Sequence, residues 1–242
     1  MPTPPMSVAE TILSHLQAVE AERQRRERDP ALAARAQQIK AYQQRRFADT
    51  YADLLASTRH AAAARFFLDE LYGPGDFSRR DAQFARVIPA LVRLFPDDVI
   101  ATVETLGRLH ALTEVLDGEM AAEAGQPVPL DAAAYARAWQ RTGRAADREQ
   151  QIALMLSVGD ALDRFTRKPM LRASLKMMRG PAAAAGLGDL QRFLESGFDT
   201  FRAMGGASEF LALIGGRERA FVERLFTAAP GDTAALRGVQ LP

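Results

Sequence analysis

The stretch Arg65–Asp81, RFFLDELYGPGDFSRRD, joins the end of one predicted helix to the start of the next. Gly73 suits the left-handed position that follows many helices, and Pro74 prevents a helix from continuing. Ser78 and Asp81 are three residues apart and resemble a capping box, with aspartate in place of the usual glutamate. The stretch therefore predicts a corner between two helices, and the rest of the chain is interpreted outward from it.

The same corner contains the densest mixture of aromatic, acidic and basic side chains in the chain. Two interpretations stay open: a structural corner held by caps and ion pairs, or a charged, aromatic rim around a pocket or a partner site. The candidate site residues on the second interpretation are Arg65, Phe66, Phe67, Asp69, Glu70, Tyr72, Asp76, Arg80 and Asp81.

The run FFLDELYGPGDFSRRD resembles the FFLxELYGxxDFSxRD hallmark of a bacterial, wholly helical family known only as a domain of unknown function. The similarity continues through the segments VIPALVRLFP and GLGDLQRFLESGF, so that it covers roughly residues 42–226. The resemblance implies an all-helical fold. It supplies no catalytic or binding residues.

Composition excludes several classes of protein. Of the 242 residues, 48% are hydrophobic and 25% are charged, as in ordinary globular proteins. The net charge of +1 gives no general attraction to nucleic acid or to anionic membranes, so neither is expected as a partner. The lack of cysteine excludes disulfides, thiolate catalysis and cysteine-based metal sites. Neither a signal peptide nor a long apolar stretch is visible, which predicts a cytoplasmic protein.

Apolar residues recur with helical spacing along most of the chain, whereas extended alternation and hairpin-turn dipeptides such as Asn-Gly are lacking. The pattern predicts an all-α fold, a multi-helix bundle of about eight to ten helices. A globin-like core is one arrangement that this helix number allows.

The sequence predicts four parts of the chain: a disordered tail (1–6), an N-terminal helical hairpin or arm (7–57), a helical core domain (58–228) and a loose C-terminal tail (229–242). Asp29-Pro30 would separate the two helices of the hairpin. The hairpin either projects as an arm for dimerisation or partner binding, or folds back on its own domain.

The second helix of the hairpin begins a helical pattern that extends from Ala31 to Tyr72, which is long for a compact domain. Either this pattern breaks near Ser57, or its first half projects. The basic run Arg23–Arg28 contains interleaved glutamate and no aromatic residue, and this favours a solvated helix face over a nucleic-acid contact.

Three further features predict local structure. Pro89, inside an amphipathic helix, should kink that helix or split it in two. Gly215-Gly216, inside the last helix, indicates a bend or a close helix crossing. Tyr135 and Trp139, four residues apart, form either a packed aromatic pair or a surface on which a ligand stacks.

The three histidines, His15, His60 and His110, show none of the spacings of helix-borne zinc ligands, so no metal site is predicted. A histidine beside a leucine stripe is a core-edge residue on one interpretation. On the other, His60 and His110 are candidate ligand-binding residues in a haem pocket. No nucleophile motif is visible, so no catalytic residue is predicted.

These observations predict a non-enzymatic helical protein that acts through self-association, for example as a homodimer, or through a protein partner, with no cofactor. The alternative is a globin-like sensor that binds a small molecule or haem. An enzyme of unknown type stays open, and the charged corner is the first place to look for its active site.

Overall fold

The structure, a computed structural model, describes residues 6–71, 74–125 and 130–229. These residues form twelve α-helices and one π-helical turn, and they contain no strand. The all-α prediction is confirmed, and the nine helices of nine residues or more agree with the predicted eight to ten. The helices are α1 (Val8–Glu27), α2 (Pro30–Thr50), α3 (Ala52–Ala56), α4 (Ala61–Phe66), α5 (Ser78–Leu94), α6 (Asp97–Glu123), α7 (Ala132–Thr142), α8 (Ala145–Thr166), α9 (Pro169–Met177), α10 (Arg179–Ala184), α11 (Gly188–Met204) and α12 (Ser208–Thr227), with the π-helical turn at Phe67–Leu71.

Side-chain caps fix the first turn of each of the two helices of the N-terminal hairpin. Ser7 and Glu10 form a capping box, in which the Ser7 backbone N–H donates to Glu10 Oε2 at 2.7 Å. Asp29 Oδ1 accepts the backbone N–H groups of Ala31 and Leu32 at 3.0 and 3.1 Å, and Pro30 occupies the first turn of α2. The predicted break at Asp29-Pro30 is therefore confirmed.

The hairpin folds back on the rest of the chain. Both α1 and α2 pack against α6, the longest helix, and α1 also contacts α5. Ile12 of α1 and Ile39 of α2 are fully buried. Of the two arrangements that the sequence left open, the structure has the packed one. The proposed division of the chain at residue 57 stays a prediction.

The long helical pattern that begins at Ala31 is interrupted, which is one of the two predicted alternatives. Helix α2 ends at Thr50, and the chain continues through the short helices α3 and α4. Between them Ser57 Oγ accepts the backbone N–H groups of Arg59 and His60, each at 3.3 Å. The serine thus satisfies donors that a continuous helix would have bonded internally.

Pro89 does not split its helix, because α5 runs without interruption through it. Phe84 and Ile88, which precede the proline by five and one residues, are buried in one apolar cluster with Ile12 and Leu16 of α1. This packing offsets the cost of an interior proline, about 3 kcal/mol. Of the two outcomes predicted at Pro89, a kink or a split, the split does not occur.

The predicted capping box at the corner was wrong. Ser78 is the first residue of α5, and its backbone N–H donates to Asp76 Oδ1 at 2.9 Å. Asp81 is therefore free to point away from the helix start, toward α1 and α6. Tyr72 and Gly73, including the predicted glycine cap, lie outside the described residues.

Aromatic side chains fill two of the three apolar clusters. In one, the ring of Tyr42 stacks on that of Tyr135 with centroids 4.3 Å apart, and Trp139 follows at 6.0 Å from Tyr135. Both members of the Tyr135–Trp139 pair are buried, so the packed-pair interpretation holds. The other cluster contains Phe47, Tyr51, Phe66, Phe67, Phe201 and Phe210.

Helices α8 and α12 cross at close range through glycines. A Cβ atom placed on Gly159 would lie 2.5 Å from Cδ2 of Leu211, and one placed on Gly215 would lie 2.9 Å from Cδ1 of Leu156. Each helix thus presents a glycine to a leucine of the other. The close crossing predicted from Gly215-Gly216 is confirmed at Gly215.

Substitution by alanine is expected to have opposite effects at Gly159, inside this crossing, and at Gly216, which is exposed beside it. Gly159→Ala overpacks the contact with Leu211 and should lower the free energy of unfolding by about 1–2 kcal/mol. Gly216→Ala meets no atom within 4 Å and should raise it by about 0.5–1 kcal/mol, because alanine favours the helix. Urea unfolding followed by circular dichroism measures both. Equal shifts in the two variants would contradict the packing argument.

None of the described helices is both long enough and apolar enough to cross a membrane.

Candidate functional site

The long helices enclose a cavity of about 130 Å³. An apolar cavity of roughly 150 Å³ holds one benzene molecule, so this space suits a compound of about six non-hydrogen atoms. Residues of the charged corner and of the hairpin both line it. Its apolar walls include Leu16, Phe84, Leu106, Leu109, Ile152, Met155, Leu190, Phe193 and Val222.

Arg80 lies at the corner end of the cavity and is held from several sides. Its guanidinium carbon lies 4.3 Å from the ring centroid of Phe77 and 4.4 Å from that of Phe193. Its Nη1 donates to the backbone oxygen of Glu70 at 3.0 Å and lies 3.4 Å from the Glu70 carboxylate. Stacking on two rings fixes the plane of the guanidinium and leaves its edge for polar contacts.

Asp81 connects three helices beside Arg80. Its Oδ2 accepts hydrogen bonds from Arg23 of α1 at 2.5 Å and from His110 Nε2 of α6 at 2.8 Å. Burial alone would raise the pKa of Asp81, but the hydrogen bonds and charges of His110 and Arg23 hold this pKa below its ordinary value. A charged carboxylate is therefore maintained at this end.

Glu114 forms a buried ion-pair triad at the opposite end, where α6 faces the hairpin. Its carboxylate accepts hydrogen bonds from Arg26 of α1 and from Lys40 of α2, the second at 2.6 Å. Although burial favours the neutral acid, the charges and hydrogen bonds of Lys40 and Arg26 lower the pKa of Glu114 to about 2. The side chain of Glu114 is only 4% exposed, so the triad lies inside the fold.

Asp117, one turn further along α6, has an uncharged hydrogen-bond partner where Glu114 has charged ones. Gln43 Nε2 donates to its Oδ1 at 3.0 Å, and this is the one hydrogen bond of Asp117 within the described ranges. Burial is the main cause that raises the pKa of Asp117 above its ordinary value. The carboxyl group lines the cavity and is 2% exposed.

Arg148 of α8 lines the same end. Its guanidinium carbon lies 3.9 Å from the ring centroid of Trp139. Its Nη1 donates to Gln151 Oε1 at 3.1 Å, and its Nη2 lies 2.9 Å from the sulfur of Met120. The group is thus a buried cation whose described hydrogen bonds end on neutral acceptors.

Glu218 of α12 completes the polar lining. Arg46 of α2 donates from two nitrogens to its two carboxylate oxygens, at 2.5 and 3.0 Å, and the hydroxyl of Tyr51 donates to Oε1 at 2.7 Å. The Arg46 guanidinium also lies 4.4 Å from the ring centroid of Phe221. This bidentate geometry fixes Glu218 in place.

The predicted site residues are distributed over three environments. Tyr72 lies outside the described residues. Phe66 and Phe67 are buried in the aromatic cluster, and Arg65, Asp69 and Asp76 are exposed. Those that line the cavity are Glu70, Arg80, Asp81 and His110.

His60 belongs to a different part of the molecule. It is buried, its ring centroid lies 5.8 Å from that of Phe210, and it does not line the cavity with His110. A porphyrin contains four pyrrole rings, whereas the cavity suits about one small ring. The geometry thus gives the haem hypothesis no support. Within the described ranges, no three potential ligand side chains are grouped to hold a metal ion.

The interpretation of the run Arg23–Arg28 as a solvated face needs correction. Arg26 is 7% exposed and pairs with Glu114, and Arg23 reaches Asp81. Two of the four arginines therefore turn inward, because acids on α5 and α6 attract them.

Sequence reasoning missed the residues of the hairpin end, namely Lys40, Gln43, Glu114, Asp117 and Arg148. One signal was present. Glu114 and Asp117 are three residues apart on α6, and both are buried on the same face as the apolar residues Leu116 and Met120. Two acids on a buried helical face require partners, and this pointed to an internal polar site.

The arrangement is better suited to binding than to covalent chemistry. An imidazole oriented by a carboxylate, as in His110–Asp81, can accept a proton from a hydroxyl. The single hydroxyl among the described lining residues is that of Thr113, which accepts a hydrogen bond from Gln151 at 2.8 Å. Most other polar groups of the lining are fixed by their protein partners.

Comparison with known proteins gives a family and no function. No curated protein and no solved structure matches the chain. A family model described as "Domain of unknown function (DUF8198)" matches residues 22–232, which is most of the chain. The chain therefore belongs to the family called domain of unknown function DUF8198.

Proposed function

We propose that this protein reversibly binds a small, polar organic molecule in the cavity between α1, α2, α5, α6, α8, α11 and α12. The observation that carries the proposal is the combination of an internal space with a lining of buried, oriented charges. Pockets for small molecules combine apolar walls with a few fixed polar groups in this way.

The energetic cost of the lining supports this proposal. Buried ion pairs contribute little net stability compared with apolar side chains of the same volume, since desolvation offsets most of their attraction. Glu114, Asp117 and Glu218 nevertheless occupy buried positions on α6 and α12. Groups that are fixed before binding lose little entropy when a ligand arrives, so this lining favours affinity and selectivity over stability.

A cavity-filling variant tests the proposal. Leu109 lines the cavity and is half-buried, so Leu109→Trp should occupy part of the space. Ligand-observed NMR with a library of small polar compounds is expected to find binders of the wild-type protein. Leu109→Trp should weaken their binding about tenfold or more, because a blocked pocket loses most of its contacts.

Leu94→Trp is the matched control, since Leu94 is 78% exposed and lies outside the cavity. Its affinities should stay within about twofold of the wild type. Thermal unfolding of both variants verifies that they are folded. Binders that Leu109→Trp retains at full affinity, or a library without any binder, would overturn the proposal.

The predicted self-association through the hairpin stays a prediction. Ile12, Leu16, Leu32 and Ile39, which an arm would use for dimerisation, are buried in contacts within the fold. A homodimer would thus need a different surface of the hairpin.

A further inference from the structure

The acidic side chains of the cavity lining already have counter-charges inside the protein. Ion pairs with cationic side chains hold four of the described lining carboxylates, those of Glu70, Asp81, Glu114 and Glu218. The charges of Lys40 and Arg148 act on the fifth, that of Asp117. A charged ligand would lose its hydration on entry and would then compete with one of these partners. The lining therefore favours an uncharged ligand.

Gln43 of α2 presents an uncharged acceptor in this lining. Its Nε2 donates to Asp117 Oδ1 at 3.0 Å, so the amide oxygen, Oε1, lies on the other side of the amide group. Among the described residues no group donates to this oxygen, although Gln43 is only 8% exposed and lines the cavity. An amide oxygen accepts up to two hydrogen bonds, so Oε1 has the capacity for a donor on a ligand.

Thr113 of α6 presents an uncharged donor at the same end. It lies one turn before Asp117 on the same face of the helix, and α2 packs against this helix. Its Oγ1 accepts a hydrogen bond from Gln151 Nε2 at 2.8 Å, and no described acceptor takes its hydroxyl hydrogen. A hydroxyl can accept and donate at once. Thr113 thus offers a donor on one helix, and Gln43 offers an acceptor on its neighbour.

From this pair we infer that the ligand is a small, uncharged carboxamide, whose oxygen accepts from the Thr113 hydroxyl and whose N–H donates to Gln43 Oε1. This inference rests on the proposed function. A carboxamide carries an acceptor and a donor side by side, so it can contact both helices at once. Its alkyl part would lie against apolar wall residues such as Ile152.

The size of the cavity selects the probe. Butyramide has six non-hydrogen atoms, the same number as benzene, and thus fits a space of about 130 Å³. Three analogues keep its propyl group and its number of non-hydrogen atoms. Butyrate is an anion, butyramidinium is a cation, and 2-pentanone is uncharged but has no donor.

The first experiment titrates the wild-type protein with these four compounds and follows them by ligand-observed NMR. Butyramide should bind about tenfold or more tightly than either ion, because the ions lose more hydration and find no unpaired counter-charge. It should also bind about threefold or more tightly than 2-pentanone, because the ketone cannot donate to Gln43. This comparison needs no variant.

The second experiment uses Thr113→Val, which keeps the shape of the side chain and removes its hydroxyl. The affinity for butyramide should fall about fivefold, the effect of one hydrogen bond. The preference for butyramide over 2-pentanone should persist, since it arises at Gln43. Thr105→Val is the matched control, because Thr105 lies on the same helix and outside the cavity. Its affinities should stay within about twofold of the wild type, and thermal unfolding verifies both variants.

The outcomes separate this inference from the proposed function. The carboxamide is overturned if butyramide does not bind, if either ion or 2-pentanone binds as tightly, or if Thr113→Val keeps the wild-type affinity. Library compounds that are lost in Leu109→Trp would in that case leave cavity binding intact. If the library also contains no binder, both proposals fail.

Discussion

Arg46→Ala is expected to lower the free energy of unfolding by about 3–5 kcal/mol, the largest effect of any single substitution considered for this chain. Arg46 is 3% exposed and donates to both oxygens of Glu218. Its removal leaves a buried carboxylate whose remaining described donor is the hydroxyl of Tyr51. The cost comes from this stranded charge more than from the lost attraction. Chemical unfolding in urea, followed by circular dichroism, measures it.

Arg219→Ala is the matched control on α12. Arg219 forms an ion pair with Glu149, but both side chains are about half exposed. Water and salt screen such a pair, so its removal should cost less than about 1 kcal/mol. A second variant, Arg46→Met with Glu218→Leu, removes both charges and should recover most of the stability. If the double variant is as unstable as Arg46→Ala, lost packing and not the stranded charge explains the effect.

Glu114 is expected to make the protein sensitive to acid. The pKa of this carboxyl is about 2 in the folded chain, against an ordinary value of 4.5, because Lys40 and Arg26 stabilise the charged form. A lowered folded-state pKa contributes stability that is fully present above the unfolded pKa and is lost as the pH falls toward the folded pKa. The wild-type protein should therefore lose on the order of 3 kcal/mol from this group between about pH 5 and pH 2.

Glu114→Gln isolates this contribution. At pH 7 the variant should be less stable than the wild type, because Arg26 and Lys40 lose their shared counter-charge. The difference in the free energy of unfolding should shrink as the pH falls to about 2, where the wild-type carboxyl approaches protonation. Glu149→Gln, at an exposed ion pair, should follow the wild-type profile. A constant difference between wild type and Glu114→Gln over this range would contradict the argument.

The fold was predictable because its signals are local. Helical periodicity, the Asp29-Pro30 break and the close crossing at Gly215 each depend on residues a few positions apart. The split at Pro89 failed as a prediction because packing of Phe84 and Ile88 against α1 outweighs a local penalty. At the corner, Asp76 accepts the backbone N–H of Ser78, and Asp81 forms no capping box because its partners lie on other helices.

The site was only partly predictable because its contacts are long-range. The corner supplied Glu70, Arg80 and Asp81, which were visible as charges near a turn. Their partners were not visible, since Arg23 and Asp81 are separated by 58 residues and Arg26 and Glu114 by 88. Within one helix, spacing indicates which residues share a face, but it does not indicate which face of another helix lies opposite.

The position of the counter-charges has a practical consequence for experiments on this protein. Three carboxyl groups of α6 and α12, those of Glu114, Asp117 and Glu218, take described partners from α1 and α2, namely Arg26, Lys40, Gln43 and Arg46. Proteolytic or genetic removal of the first two helices would expose three carboxyl groups that are buried in the intact fold. The properties of a shortened chain would then reflect its misfolding. The role of the hairpin therefore has to be studied by point substitution in the intact polypeptide.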